Sequence, residues 1–232
     1  MLLPELSRHL KGGRAEEARA SQEQSLFLSM LLSMPATAAL IAMAEPIVRV
    51  LFERGLFDAV ATGQTAQALI AFSTGLPAYV LIRVLQPGFF AREDTITPTI
   101  FAGVSVAVNI GVSLWLFPTL FHVGIAIATA ASAWVNVIML AITLALRGHF
   151  SLSRSQWWGH AMIILISVMM GLSLMFLADH GWHHLVPGVP FWRQALVLFA
   201  LIAYGVVFYF TLVHITGTQR LGLMMRRLRR RG

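Results

Sequence analysis

The sequence predicts an all-α fold: a polytopic membrane helix bundle of about six transmembrane helices, with both termini in the cytoplasm. Of its 232 residues, 57% are hydrophobic and only 12% are charged, and the mean hydropathy is +0.75. Such a chain has too little polar surface to cover a water-soluble domain. Uncharged windows of about 20 residues or more recur along it, which is the length that crosses the ~30 Å hydrocarbon core of a bilayer.

Five uncharged windows predict the six spans. Four of them are each suited to one helix: Gln24–Ala44, Ala59–Ile82, Ser155–Ala178 and Gln194–Gln219. The fifth, Thr95–Leu146, is too long for one crossing, and Phe117–His122 interrupts it with a proline and a polar pair that suit a turn at the membrane interface. We therefore predict a hairpin of two helices in this window.

The positions of Lys and Arg predict the orientation. If the N-terminus is inside, only Arg49, Arg54 and Arg193 of the 17 basic residues fall on the external side. Basic residues are retained in the cytoplasm, so both termini are expected there. Residues 1–24 are expected to be the end of a preceding helix and an amphipathic connector, and residues 219–232 a basic cytoplasmic tail. Because Leu2-Leu3-Pro4 looks like the end of an earlier helix, we expect the chain to be truncated.

Small residues and prolines suggest how the spans pack. Helices in lipid approach closely where small residues recur every four positions. Two such rows are expected to bring the third and fourth spans together: Gly103, Ala107 and Gly111 on one, and Gly124, Ala128 and Ser132 on the other. Pro35 and Pro77 lie within the first and second spans, where each removes a backbone hydrogen bond and produces either a static kink or a hinge.

Three polar residues at membrane depth are the candidate substrate-binding positions. Asn109 and Asn136, one on each arm of the hairpin, could bond to a neighbouring helix, which we favour, or face a wet cavity. Arg83 could extend to the headgroups or point into a cavity that holds an anion.

The sequence lacks the motifs that several functional classes of protein require. The chain has no Cys, no Gly-rich phosphate loop, no serine elbow and no paired carboxylates, so we predict no enzymatic activity and no cofactor. The net charge of +7 suits anionic lipid better than nucleic acid. Asp179, His180, His183 and His184 have a spacing that zinc could use, but the glycines and prolines around them oppose a helix, and we predict no metal site.

Two connecting stretches carry a more specific pattern. Leu51–Phe57 reads Leu-Phe-Glu-Arg-Gly-Leu-Phe, and Pro87–Pro98 reads Pro-Gly-Phe-Phe-Ala-Arg-Glu-Asp-Thr-Ile-Thr-Pro. They resemble the LFxRGxF element and the PxFxARxDxxTP loop of the MurJ (MviN) family of lipid II flippases, in the multidrug/oligosaccharidyl-lipid/polysaccharide exporter superfamily. Leu3–Arg8 also resembles the family's LPxLS segment, which ends a helix.

The resemblance covers essentially the whole chain and implies that its spans match the last six of the family's fourteen. Residues 25–148 would be four helices of the second transporter lobe, and residues 149–218 two helices that form a groove for a polyprenyl tail. The implied gate or structural positions are Arg54, Gly55, Pro87, Arg92, Asp94 and Pro98. Asp94 is expected to cap the helix that begins near Pro98 and to pair with Arg92 or with a basic group of the neighbouring lobe.

The implied function is that of the C-terminal part of a lipid II flippase, which moves a lipid-linked peptidoglycan precursor across the bacterial inner membrane in cell wall biogenesis. The implied partners are lipid II, membrane lipids and the N-terminal lobe of the same transporter. Two alternatives remain open: a related exporter of another lipid-linked glycan or a drug-like cation, and a membrane scaffold that transports nothing.

Overall fold

The structure is a computed structural model that describes residues 2–150, 154–181 and 189–217. Within these ranges the chain is helical and contains no β-strand, as predicted. The helices are α1 (Leu2–Lys11), α2 (Ala15–Ala42), α3 (Ala44–Phe52), α4 (Ala59–Phe90), α5 (Ile96–Leu146), α6 (Arg154–His180) and α7 (Phe191–Ile215). The predicted basic tail, residues 219–232, lies outside the described residues.

The long helix α5 is the predicted hairpin. Phe121 interrupts its 51 residues with φ 48° and ψ −128°. A Cβ atom placed on Gly124 would lie 2.9 Å from the Cβ atom of Leu116, whereas eight residues of continuous helix span about 12 Å. The chain therefore reverses at Phe121, with a first arm (96–120) and a second arm (122–146). Together with α2, α4, α6 and α7, which are long and apolar enough to cross a membrane, the described part of the chain forms six spans.

The helices differ from the sequence prediction in two respects, which are the end of α4 and the presence of α3. α4 continues beyond the predicted end at Ile82 to Phe90, so Arg83 and Pro87 lie inside it. The charge of Arg83 ended the apolar window but not the helix, because its side chain is exposed at the surface. The short amphipathic helix α3, which follows α2 after Met43, was not predicted.

The bundle has two ends, which we name by their residues. The near end holds α1, the α4–α5 loop (91–95) and the last turn of α5. The far end holds α3, the hairpin turn and the first turn of α7. Contacts confirm this grouping, since Arg147 pairs with Asp94 at the near end and Arg54 lies over the ring of Phe191 at the far end.

Helix α2 is shared by both halves of the bundle. Its buried Leu26 and Met30 pack with residues of α4 and the second arm of α5 in one hydrophobic cluster. Phe27 and Leu31, at adjacent positions, pack with residues of α6 and α7 in a second cluster. Met34 contacts both clusters. The hairpin half and the final helix pair are thus joined through one helix.

Only one of the two predicted rows of small residues is buried. The buried row is the one on the second arm: Gly124, Ala128 and Ser132. Gly103 and Gly111 on the first arm are exposed, and a Cβ atom placed on either would meet nothing within 4 Å. The prediction that this row, with Ala107, packs on the fourth span is wrong, because the first arm turns Ser105 towards the second arm instead.

The closest approach between α4 and the second arm occurs beside a proline. A Cβ atom placed on Gly75 would lie 2.9 Å from the Cα atom of Ala130, so only a glycine fits there. Two residues further on, Pro77 cannot donate a backbone hydrogen bond. The indole nitrogen of Trp134 donates to the carbonyl of Thr74 in the same turn, at 3.0 Å. This bond joins the second arm to α4 in the turn that contains Pro77, while the carbonyl that lacks its donor because of Pro77 is that of Ser73, four residues earlier.

A hydrogen bond beside a proline also joins α2 to α7. Pro35 lies inside α2 and has no N–H to donate to the carbonyl of Leu31, four residues earlier. The hydroxyl of Tyr209, which is only 1% exposed, donates to that carbonyl at 2.8 Å. A free carbonyl surrounded by lipid and apolar side chains is costly, so the tyrosine offsets the loss that the proline causes.

We expect Tyr209→Phe to lower the free energy of unfolding by about 1 kcal/mol, because it leaves the Leu31 carbonyl without a donor. Pro35→Ala restores the backbone N–H, so the tyrosine substitution should cost clearly less in a Pro35→Ala background. Denaturant unfolding in detergent, followed by circular dichroism, measures all four proteins of this cycle.

Tyr204→Phe is the matched control, since Tyr204 lies on the same helix and is 37% exposed. It should leave the unfolding midpoint nearly unchanged. If Tyr209→Phe lowered the free energy of unfolding equally with and without Pro35, the hydroxyl would not compensate for the proline.

Candidate functional site

The last turn of α4 lies within the Pro87–Pro98 stretch, and all four of its final carbonyls are bonded. The Ala91 N–H donates to Pro87, the Arg92 side chain to Gly88 at 2.5 Å, the Arg92 and Asp94 N–H groups to Phe89, and the Glu93 N–H to Phe90. Glu93 has a left-handed φ of 63°, as the Schellman motif that closes a helix requires. The loop is therefore a defined cap rather than a loose connection.

Asp94 starts the next helix, as predicted. One carboxylate oxygen accepts from the backbone N–H of Thr97 at 3.0 Å, and the other accepts from the Thr97 hydroxyl at 2.7 Å. A carboxylate in this position satisfies free N–H groups and complements the positive end of the helix dipole. Pro98 falls in the first turn of α5, where a missing N–H costs nothing.

The basic partner of Asp94 is Arg147, at 2.6 Å. The predicted pairing with Arg92 is wrong, because Arg92 turns back to cap α4. The alternative, an additional pairing with a basic group of the neighbouring lobe, stays a prediction. Arg147 follows the second arm of α5, donates also to the Thr97 hydroxyl at 3.2 Å and lies 5.6 Å from the ring centroid of Phe89. The pair closes the near end of the hairpin. The predicted hairpin was the signal that could have found Arg147, since its two ends must meet at one membrane surface.

Hydrogen bonding and burial at the near end shift the pKa values of two groups. The hydrogen bonds from Arg147 and Thr97 lower the pKa of Asp94 to about 2. Burial, and then the charges of Arg92, Arg147 and Arg19, lower the pKa of His149. His149 therefore stays neutral to a lower pH than an isolated histidine.

The Leu51–Phe57 stretch forms the corresponding turn at the far end. The Arg54 guanidinium donates to the carbonyl of Val50 at 2.7 Å and lies 4.1 Å from the ring centroid of Phe191. Gly55 has φ +60°, a conformation that other residues rarely adopt. Asp58 then caps α4 by accepting from the N–H of Ala61 at 2.9 Å. Arg54 and Gly55 thus hold the α3–α4 turn and connect it to α7.

A polar seam lies between the two arms of α5. We use this name for Ser105, Asn109, Thr129, Ser132 and Asn136. The Asn109 amide donates to the hydroxyl of Thr129 at 3.2 Å and lies 3.4 Å from that of Ser132, and the Ser105 hydroxyl donates to the carbonyl of Ser132 at 2.6 Å. The favoured interpretation of Asn109, a bond between helices, is confirmed.

The other two candidate residues differ from Asn109. Asn136 is 7% exposed, and its side-chain oxygen has no hydrogen-bond partner within the described ranges. Arg83 is exposed on α4 and makes no ion pair with any residue that the structure describes. Asn136 thus extends the seam by one turn, while Arg83 is a cation without a described ion-pair partner on an otherwise uncharged helix. The structure does not bring Arg83 into the seam.

The predicted weak histidine pattern is only partly visible. His180 ends α6, and its Nδ1 atom lies 2.9 Å from the carbonyl of Phe176. His183 and His184 lie outside the described residues. Among the residues that are described, no group of three His, Asp or Glu side chains could hold a metal ion.

We expect Asp94→Asn to lower thermal stability at neutral pH and Asp94→Ala to lower it further. Asparagine keeps an acceptor for the Thr97 N–H but loses the ion pair, whereas alanine loses both. The carboxylate stabilises the fold when ionised, so this contribution is complete above its ordinary pKa of 3.8 and is lost as pH falls towards about 2. Melting temperatures in detergent between pH 7 and pH 2.5 measure the effect.

Glu93→Gln is the control, because Glu93 is an exposed neighbour that pairs with no described residue. It should change the melting temperature little. If Asp94→Asn matched the unsubstituted protein at pH 7, the Arg147 pair would not contribute to stability.

Comparison with known proteins identifies the family to which the chain is similar. The model of the family described as "Lipid II flippase MurJ" matches residues 1–196. A protein named "Probable lipid II flippase MurJ" from Rhizobium meliloti is 41% identical over 230 residues, which are 99% of this chain and 43% of that protein. Its namesake in Rhizobium tropici is 40% identical over all of this chain and 43% of its own length. The namesake in Vibrio cholerae is 30% identical over 94% of this chain and 41% of its own length.

This chain therefore spans less than half the length of these relatives, whose names all describe a flippase. The match of the family model over most of the chain agrees with the resemblance of the two motifs and with the all-helical, multi-pass structure. The chain belongs to the lipid II flippase MurJ family.

Proposed function

We propose that this chain is the C-terminal part of a lipid II flippase of the bacterial inner membrane and that it acts together with the N-terminal part of the transporter. The observation that carries the proposal is the family match across residues 1–196, which includes both motif turns. The substrate is a lipid-linked precursor of peptidoglycan, so the function belongs to cell wall biogenesis and transport rather than to enzymatic catalysis.

The physical problem of such a substrate is its hydrated, anionic headgroup. The headgroup cannot cross hydrocarbon unprotected, because desolvated charge is costly there. The protein must therefore supply polar groups between its helices while the apolar tail stays in lipid. Rocking of two lobes about a site near the membrane centre is the general solution in transporters of this kind.

Arg83 is the residue of this chain that we assign to the headgroup. Its side chain is exposed and without an ion pair among the described residues, although it lies inside the membrane helix α4. An unpaired guanidinium at such a position suits a phosphate group, which it can bind through two hydrogen bonds. Asn109 and Asn136, whose buried oxygen no described residue bonds, lie in the polar seam rather than beside Arg83, and we assign them to further polar contacts with the substrate.

We assign the polyprenyl tail to a groove of residues 149–218. Helices α6 and α7 expose large apolar side chains along their spans, including Met169, Leu172 and Phe176 on α6 and Phe199 and Val207 on α7. These surfaces suit a flexible hydrocarbon chain. Tyr209 fixes α7 to α2, so the groove would stay connected to the second lobe, residues 25–148, during transport.

The two motif turns are assigned a structural part in gating. Arg92, Asp94 and Arg147 make the near end of α4 and α5 one rigid unit, with Pro87 and Pro98 on either side of the loop. Arg54 does the same at the far end. Rigid turns of this kind let helices move together, which rocking requires.

We expect a chimera to translocate lipid II when this chain replaces the matching part of the Rhizobium meliloti relative. Depleting the native flippase and measuring lipid II at the outer face with an impermeant cleaving enzyme tests this. Arg83→Ala should lower the rate about tenfold or more at equal protein level, since a charge-assisted hydrogen bond contributes about 1.5–3 kcal/mol. Arg193→Ala, at the far end, is the control.

A photoreactive polyprenyl analogue of lipid II in the same chimera locates the tail. Cross-links should fall on α6 and α7. Cross-links confined to α2, α4 and α5 would remove the groove assignment, and a folded chimera that moves no lipid II would remove the proposed function.

We also propose that the near end faces the cytoplasm, on the division of basic residues described above. A single Cys at Thr95 should be protected from an impermeant thiol reagent in intact cells. A single Cys at Thr119, which is exposed in the hairpin turn of the far end, should react whether or not the membrane is permeabilised. The chain has no native Cys to confuse the labelling. Labelling of Thr95→Cys in intact cells would reverse the orientation.

A further inference from the structure

The far end exposes a compact apolar surface that neither the spans nor the polar seam accounts for. We call it the far-end knob and define it as Leu51, Phe52, Leu56 and Val60. Their exposed fractions are 52%, 56%, 103% and 67%. No part of the described chain covers the side chain of Leu56. A surface of this kind is unfavourable in water and indicates something that covers it.

Two charged side chains of the same segment, Arg49 and Glu53, are turned the opposite way. Arg49 pairs with Glu53 at 3.1 Å and with Glu45 at 2.8 Å. The side chains of Arg49 and Glu53 are only 10% and 8% exposed. The segment thus shelters two ion-pairing groups against the bundle, while Glu45, Arg54 and Asp58 are exposed together with leucine and phenylalanine. A short segment that exposes both apolar and charged side chains fits the interface between lipid and water.

The depth of the knob follows from the tryptophans. His160 contacts Phe27, and Tyr209 bonds to Leu31, which fixes α6 and α7 along α2. With 1.5 Å per residue, the levels of the exposed Trp157 and Trp192 are about 36 Å apart. This separation matches a hydrocarbon core with part of the headgroup region on each side, where tryptophan collects.

The far-end knob lies at the level of Trp192. Arg54, between Phe52 and Leu56 in the chain, lies over the ring of Phe191, the neighbour of Trp192. The knob is therefore at the height of an aromatic belt rather than far out in water. The indole of Trp192 also lies beneath Arg193, with the guanidinium 5.1 Å from the ring centroid, as is common at the headgroup level.

We propose that the far-end knob inserts into the headgroup region of the adjoining phospholipid leaflet and anchors the α3–α4 turn there. The occupant is the lipid surface itself. Because Arg54 joins this turn to the first residue of α7, the anchor also sets the position at which α7 enters the membrane. The proposal concerns the bilayer that surrounds the protein and does not depend on which substrate is carried.

Site-directed spin labelling tests the anchor. A single Cys is placed at Phe52 or at Leu56 in the protein as the cell makes it and is labelled with a nitroxide. The labelled protein is reconstituted into vesicles of phosphatidylethanolamine and phosphatidylglycerol. Power saturation compares its accessibility to oxygen, which concentrates in lipid, and to a water-soluble nickel chelate. Phe199→Cys, on an exposed face of α7, is the lipid reference, and Thr95→Cys, in the near-end loop, is the water reference.

Both knob labels should show a ratio of oxygen to nickel accessibility severalfold above that of Thr95 and between the two references. A ratio equal to that of Thr95 would mean that the knob faces water and would overturn the proposal. Low accessibility to both reagents would mean that another protein surface covers the knob, which overturns it equally.

Discussion

The structure depends on one constraint: within a bilayer, every backbone N–H and C=O group must find its partner inside the protein. Prolines test this constraint because each removes a donor in the middle of a span. At Pro35 the hydroxyl of Tyr209 takes over the Leu31 carbonyl, and close to Pro77 the indole of Trp134 contacts the α4 backbone. At Pro35 the substitute donor comes from another helix, so this proline bears on which helices are joined and not only on where a helix bends.

Helix ends obey the same constraint at the near end. The last carbonyls of α4 are bonded by the loop that follows it, and Asp94 bonds the first turn of α5. Arg147 then ties this carboxylate to the opposite end of the hairpin. The conspicuous charges of the motif are thus used to complete hydrogen bonding between three helix ends. This leaves Arg83 as the cation within a span that the described residues do not pair.

The position of α2 explains how the two halves of the chain remain together. Neighbouring residues on it, Leu26 and Phe27, belong to different hydrophobic clusters, so the hairpin half and the α6–α7 pair pack on adjoining faces of one helix. Apolar burial alone gains little between helices in lipid. The hydrogen bond from Tyr209 and the close contacts at Gly75 and Gly88 therefore supply specificity that the apolar side chains cannot. A transporter lobe and a lipid groove built on this frame would share that helix.

The sequence by itself determined the all-helical class, the six spans and the reversal near Phe121, because apolar length and the placement of charge are fixed by the bilayer's thickness and polarity. It also determined that Asp94 caps a helix, since a cap depends on residues three positions apart. It did not determine that Arg147 is the partner of Asp94 or that the Tyr209 hydroxyl bonds the carbonyl that Pro35 leaves free. It also did not determine that the row of small residues on the first arm is exposed. Each of these depends on the rotation and register of one helix against another. Helices surrounded by lipid have apolar residues on all sides, so periodicity does not reveal the buried face, and only the tertiary structure decided which side chains meet.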